Sequence, residues 1–129
     1  TKMGVNKYFK RRDGGEMASK YYWTTGPISS SLGLKKIKIE VLNNSNVTRI
    51  VTIDVYDLSS GTPIIMYTKK HYVKANANKS IAVDANQSTL WEVLAAGNSR
   101  NIRIWVGGQD DGGMNLIGNV VFSSQMQLL

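Results

Sequence analysis

Few side chains in this sequence are of the kinds that do chemistry, and they are scattered. The only histidine is His71. It follows Lys69 and Lys70 and precedes Tyr72, and an imidazole is the natural base near neutral pH. A base needs a nucleophile and an orienting partner, and the sequence places neither beside it. The simpler reading is an exposed strand residue. Asp110 and Asp111 sit in the run from Gly107 to Gly113, where carboxylates on a flexible loop would suit Ca²⁺. EF-hand spacing is missing, so a plain turn is the better reading. Cysteine is absent, which excludes disulfides, thiolate metal sites and a cysteine nucleophile. The expectation is a protein that is not an enzyme, with no catalytic, cofactor-binding or metal-binding residue.

Two further groups point to binding instead. Trp23, Trp91 and Trp105, with six tyrosines, would suit a sugar-stacking platform, because aromatic rings with polar handles favour glycan and interface contacts. Trp105 is out of phase with Ile104, and Trp91 with Leu90, so one of each pair should face outward. A core or subunit contact is the competing reading. Lys7, Lys10, Arg11 and Arg12 are interleaved with Tyr8 and Phe9. Cations attract phosphate and aromatics stack on bases, which would suit nucleic acid. An arm that packs on a protein surface explains the same residues more simply. Asn43, Asn46, Asn78 and Asn86 each begin an Asn-X-Ser/Thr triplet near an expected turn, which matters only on a eukaryotic secretory route.

The elements that must position these residues are strands. At 129 residues the chain is long enough for one domain with a real core. No apolar run approaches the ~20 residues of a membrane-spanning helix, and no signal-peptide pattern is present. Residues 1–20 carry +4 of the net charge of +7. They show no period and include Gly4, Gly14 and Gly15, so they read as an arm outside the core. Residues 21–129 read as one β-sandwich domain. Val47 to Tyr56 is its centre: Val51, Ile53 and Val55 share one side, and Thr52, Asp54 and Tyr56 the other, wet side. Asp57 to Pro63 is turn chemistry leading to a second strand from Ile64, and so to a hairpin. Ile37, Ile39 and Val41 alternate with Lys36, Lys38 and Glu40. Asn43 to Asn46 then predicts another hairpin into the central strand, and Ile28 to Gly33 a loop. Further short strands are expected near Ser80–Asp84, Leu90–Leu94, Asn101–Val106, Leu116–Phe122 and Gln125–Leu129. This spacing predicts an all-β, antiparallel two-sheet sandwich of jelly-roll type.

Val55 to Pro63, Trp91 to Val93, Ile102 to Gly108 and Gly112 to Asn115 together resemble small cysteine-poor proteins of spore-forming bacteria. More distantly, the chain resembles the jelly-roll subunits of bacterial endospore appendages. That resemblance implies an N-terminal connector that reaches into a neighbouring subunit, and sheets that augment side by side. Residues 1–20 occupy the connector's place. The appendage subunits crosslink through connector cysteines, which this chain lacks, so any assembly implied here is non-covalent.

The expected function is therefore a structural protein that self-assembles, through copies of itself, into an extracellular or cell- or spore-surface filament. Val5, Tyr8 and Phe9 would be the apolar anchors of the assembly arm. Lys10, Arg11 and Arg12 would supply its polar and ionic contacts. The alternatives are a carbohydrate-binding β-sandwich module, or a jelly-roll capsid or nucleoprotein subunit whose basic arm meets nucleic acid.

Overall fold

A computed structural model describes residues 21–30, 33–85, 88–122 and 126–128. The arm residues Val5, Tyr8, Phe9, Lys10, Arg11 and Arg12 lie outside the described residues, as does Asn86. Among the described residues there is no helix, and ten strands follow one another: β1 (Tyr21–Thr24), β2 (Ile28–Ser29), β3 (Lys36–Asn43), β4 (Arg49–Asp57), β5 (Ile64–Val73), β6 (Asn78–Asp84), β7 (Leu90–Gly97), β8 (Ile102–Gln109), β9 (Asn115–Val121) and β10 (Gln127–Leu128). They form two antiparallel sheets. Sheet A has the order β10-β1-β7-β4-β5, with β2 also paired to β7; sheet B has the order β6-β3-β8-β9. The expected antiparallel two-sheet sandwich is the fold observed.

The core follows from strands of period two. Val51, Ile53 and Val55 of β4 and Trp91, Val93 and Ala95 of β7 face Ile37, Ile39 and Val41 of β3 and Ile102, Ile104 and Val106 of β8. All are buried. β-branched side chains fill the pleated inner faces of both sheets, which is where burial drives the fold. β4 is an inner strand of sheet A, between β7 and the edge strand β5, so the middle of the sheet is β7 and not the expected β4. The hairpin from β4 to β5 forms as expected, with a bulge between Val55 and Tyr56.

Three further expectations are corrected. The turn at Asn43–Asn46 does not close a hairpin, because β3 pairs with β6 and β8 in sheet B, whereas β4 lies in sheet A. It is a corner that carries the chain between sheets. The polar side of β4 is not wet: Thr52, Asp54 and Tyr56 are all buried. Ile28 and Ser29 are not loop but strand, pairing with Trp91 and Leu90. Gly26, with φ of +69°, and Pro27 only interrupt the edge, after which the chain returns to β7.

Candidate functional site

Among the described residues, two recesses are open enough to take a ligand. The first lies on the outer face of sheet B. Glu40 of β3 sits opposite Trp105 of β8 on one side and Ser80 of β6 on the other. One step along, Leu42 sits between Arg103 and Asn78. Glu40, Leu42, Asn78, Arg103, Ile104, Trp105 and Phe122 line a shallow groove of about 370 Å³.

Trp105 gives the groove its shape. Its indole lies back along β8 over Gly107, so closely that a Cβ there would stand 2.4 Å from Trp105 Cη2. A real Cβ never comes so near, so glycine at 107 is what lets the ring lie against the sheet. The ring stays half-exposed.

The polar groups beside it are fixed. Glu40 Oε1 accepts from the Asn78 amide at 2.6 Å and from the Ser80 hydroxyl at 2.5 Å, and Glu40 Oε2 is 3.7 Å from Lys38 Nζ. Partial burial pushes the Glu40 carboxyl up, but the bonds from Ser80 and Asn78 and the Lys38 charge outweigh it and hold the group below its usual range. Glu40 is thus an acceptor-only carboxylate at neutral pH. Asn78 keeps its amide oxygen, and Arg103 is exposed with its fork of donors. A half-exposed aromatic face, a fixed acceptor and a donor fork within one groove suit a ligand with hydroxyl groups and an apolar face.

The second recess is lined by Asp57, Ile64, Met66, Asp84 and Ala85. It has no ring. Asp57 Oδ1 is occupied by Ser59 N at 3.0 Å and by the Ser59 and Ser88 hydroxyls at 2.6 Å each. Those bonds order the turn and lower the Asp57 carboxyl from its usual range.

The other residues singled out by sequence lie apart. Trp23 packs on the core from β1, and Trp91 is fully buried. Asp110 is turned into its own loop, accepting from Gly112 N at 3.0 Å and Met114 N at 2.9 Å. Among the described residues no three of His, Cys, Asp or Glu come together as a metal site. Asn43 is buried and its amide nitrogen is bonded to backbone carbonyls, whereas Asn46 and Asn78 are exposed. Glu40 and Arg103 are not singled out by sequence, and Asn78, which lines the groove, is singled out only as the start of an Asn-X-Ser triplet. The alternation of β3 marks Glu40 as outward, but nothing in sequence says which strands flank it.

His71 is not the exposed strand residue expected. It stands opposite Val51, so it faces the core, and it is buried. The Tyr67 hydroxyl and His71 Nε2 share a hydrogen bond of 2.8 Å, while Nδ1 is buried without a partner. Burial, and then the charges of Lys79 and Lys69, lower its pKa. The consequence has a definite sign. Above about pH 6.5 the ring is neutral in folded and unfolded chains alike. Below that the unfolded chain takes the proton first, so stability falls until the lower folded-state pKa is passed. The prediction is that His71→Gln loses less melting temperature than the parent chain between pH 7 and pH 5; equal losses would refute it.

No family model matches the chain, and no curated protein matches it. Among solved structures, the Anabaena sensory rhodopsin transducer is similar at 15% identity, over 69% of this chain and 96% of that one, with a TM-score of 0.48. A Thermotoga maritima protein, 1070, is similar at 10% identity, over 88% and 93%, with a TM-score of 0.49. The Chromobacterium violaceum lectin CV2L, in complex with alpha-methyl-fucoside, is similar at 17% identity, over 75% and 92%, with a TM-score of 0.35. These likenesses are too distant to carry a function, and the functional reading rests on the groove.

Proposed function

We propose that the chain is a non-enzymatic binding module that takes a saccharide in the groove on sheet B. The observation that carries this is Trp105, its indole held close against Gly107 beside the fixed Glu40–Asn78–Ser80 set. A pyranose has an apolar face of C–H groups, which stacks on a ring, and an equator of hydroxyls, which need donors and acceptors at fixed places. The indole supplies the first need. Glu40, the Asn78 oxygen and Arg103 supply the second. A rigid platform limits the ordering cost of binding.

The test is calorimetric titration with a panel of neutral and acidic oligosaccharides. At least one class binds the parent chain, and Trp105→Ala weakens it by about tenfold or more, equivalent to about 1.4 kcal/mol. No binding across the panel, or binding that survives Trp105→Ala, overturns the reading.

Self-assembly into a surface filament is the second reading, and one observation favours it. β9 pairs on one side with β8 and with no described strand on the other. It presents Ile117 fully exposed, with Met114 just before it also exposed. An apolar edge strand is a template for pairing with another chain, and a head-to-tail contact that does not close makes a fibre. Sedimentation of the same samples separates the two readings, since a filament protein sediments as a polymer without any sugar.

A further inference from the structure

The two outer faces of the sandwich differ. On sheet B, Lys36, Lys38, Glu40 and Leu42 are half-exposed, and Asn78, Ser80, Ala82 and Asp84 are exposed. This is the ordinary condition of a sheet face that meets water. On sheet A the equivalent face is dry over β4 and β7, whereas Thr68, Lys70 and Tyr72 on the edge strand β5 are exposed. Asp54 is 0% exposed, and Leu94 and Ala96 are 1% exposed. Thr52, Tyr56 and Glu92 are buried as well. These residues are neighbours: Thr52 pairs with Ala96, Asp54 with Leu94, and Tyr56 with Glu92. Tyr56, Leu94 and Ala96 form a second apolar cluster, joined by Tyr22 and Leu58. All five come from sheet A or the turn after β4, and every described strand belongs to one of the two sheets. A third layer is therefore called for.

The face also carries two buried acids. Asp54 accepts from Thr68 at 2.6 Å, and Glu92 is hydrogen-bonded by Thr24. Burial pushes the Glu92 carboxyl up, against the lowering effect of the Thr24 bond. Such a face fits a cover that brings positive charge and aromatic surface together.

We propose that residues 1–20 of the same chain lie across the outer face of sheet A and form that third layer. Their charge is complementary: Lys2, Lys7, Lys10, Arg11, Arg12 and Lys20 stand against only Asp13 and Glu16. Val5, Tyr8 and Phe9 supply the apolar surface that matches Tyr22, Tyr56 and Leu94. The segment ends in the right place, because residue 21 begins β1, which pairs with β7 beside Leu94 and Ala96. It is long enough. Twenty residues reach about 65 Å when extended, whereas five strands at about 4.8 Å span roughly 24 Å. The occupant is the chain's own segment because the face is dry within a single chain. This inference is independent of the groove on sheet B.

The absence of cysteine makes the test clean. In the full chain, Ala96→Cys is paired in turn with Val5→Cys, Tyr8→Cys and Arg12→Cys, and each double variant is oxidised at low concentration. The expected result is an intramolecular disulfide in at least one pair, seen as a faster-migrating monomer. Disulfides found only between chains overturn the proposal and place a neighbour's arm on the face. No disulfide in any pair also overturns it. Because Ala96→Cys alters a packed site, the unmodified chain provides a second reading. Trypsin should cut after Lys10, Arg11 and Arg12 about tenfold or more slowly than in a free peptide of residues 1–20. Cutting at the peptide's rate overturns the proposal.

Discussion

Asn43→Ala is expected to lower the unfolding free energy by about 3 kcal/mol, a large fraction of the stability of a domain this size. Asn43 is fully buried at the end of β3. Its Nδ2 lies 2.8 Å from Val47 O, 2.9 Å from Val73 O and 3.1 Å from Lys74 O. Its Oδ1 accepts from Ser45 N at 2.9 Å and Ser45 Oγ at 2.6 Å. One amide thus joins two passages between sheets, from β3 to β4 and from β5 to β6. Alanine leaves carbonyls without their donor where each unmet group costs about 1–3 kcal/mol. Asn43→Asp should be at least as harmful at pH 7, because it keeps the shape but turns a second acceptor toward carbonyl oxygens. Urea unfolding followed by tryptophan fluorescence checks both. A loss under 1 kcal/mol for Asn43→Ala, with an unchanged slope, would mean that the corner holds without its amide.

The same corner shows where sequence reading stops. Asn-Asn-Ser-Asn is turn chemistry, and side chains that bond nearby backbone serve a hairpin and a sheet-to-sheet crossing equally well. Alternation told which residues share a face: Ile37, Ile39 and Val41 point inward as expected, and so do Val51, Ile53 and Val55. It did not tell whether the other face meets water. The outward pattern on β3 is half-exposed, whereas the polar pattern of Thr52, Asp54 and Tyr56 on β4 is buried. Phase leaves open which of Trp105 and Ile104 faces outward; the structure turns Trp105 out, and its partners Glu40 and Asn78 come from two other strands. Adjacency of β6, β3 and β8 is long-range information that a local pattern does not hold. For Trp91 the phase left two outcomes open, and the structure puts it inside, at the point where the sheets are tied together.

Trp91→Ala is expected to cost about 4 kcal/mol, and Trp91→Phe only about 1–2 kcal/mol. Trp91 is fully buried on β7 of sheet A. Its Nε1 donates to Ser30 Oγ at 2.6 Å, and Ser30 Oγ donates to Asn119 Oδ1 at 2.5 Å. Asn119 Nδ2 in turn donates to Ser29 O at 3.0 Å. The relay runs from the centre of sheet A to β9, the edge strand of sheet B. Gly108 makes room for it, since a Cβ there would meet Asn119 Oδ1 and Leu34 Cδ1 at 2.9 Å each. Alanine at 91 removes both the ring volume and the first link, whereas phenylalanine keeps most of the volume and loses the link alone. The gap between the two variants therefore separates packing from hydrogen bonding. Adding Asn119→Ala to Trp91→Phe tests the relay itself. If Ser30 couples the two groups, the double variant loses less than the sum of the singles, by about 0.5 kcal/mol or more. Strict additivity would show that the indole and Asn119 act separately. In that case β9, which leads into the groove residue Phe122, would be held by its ladder to β8 and not by the far sheet.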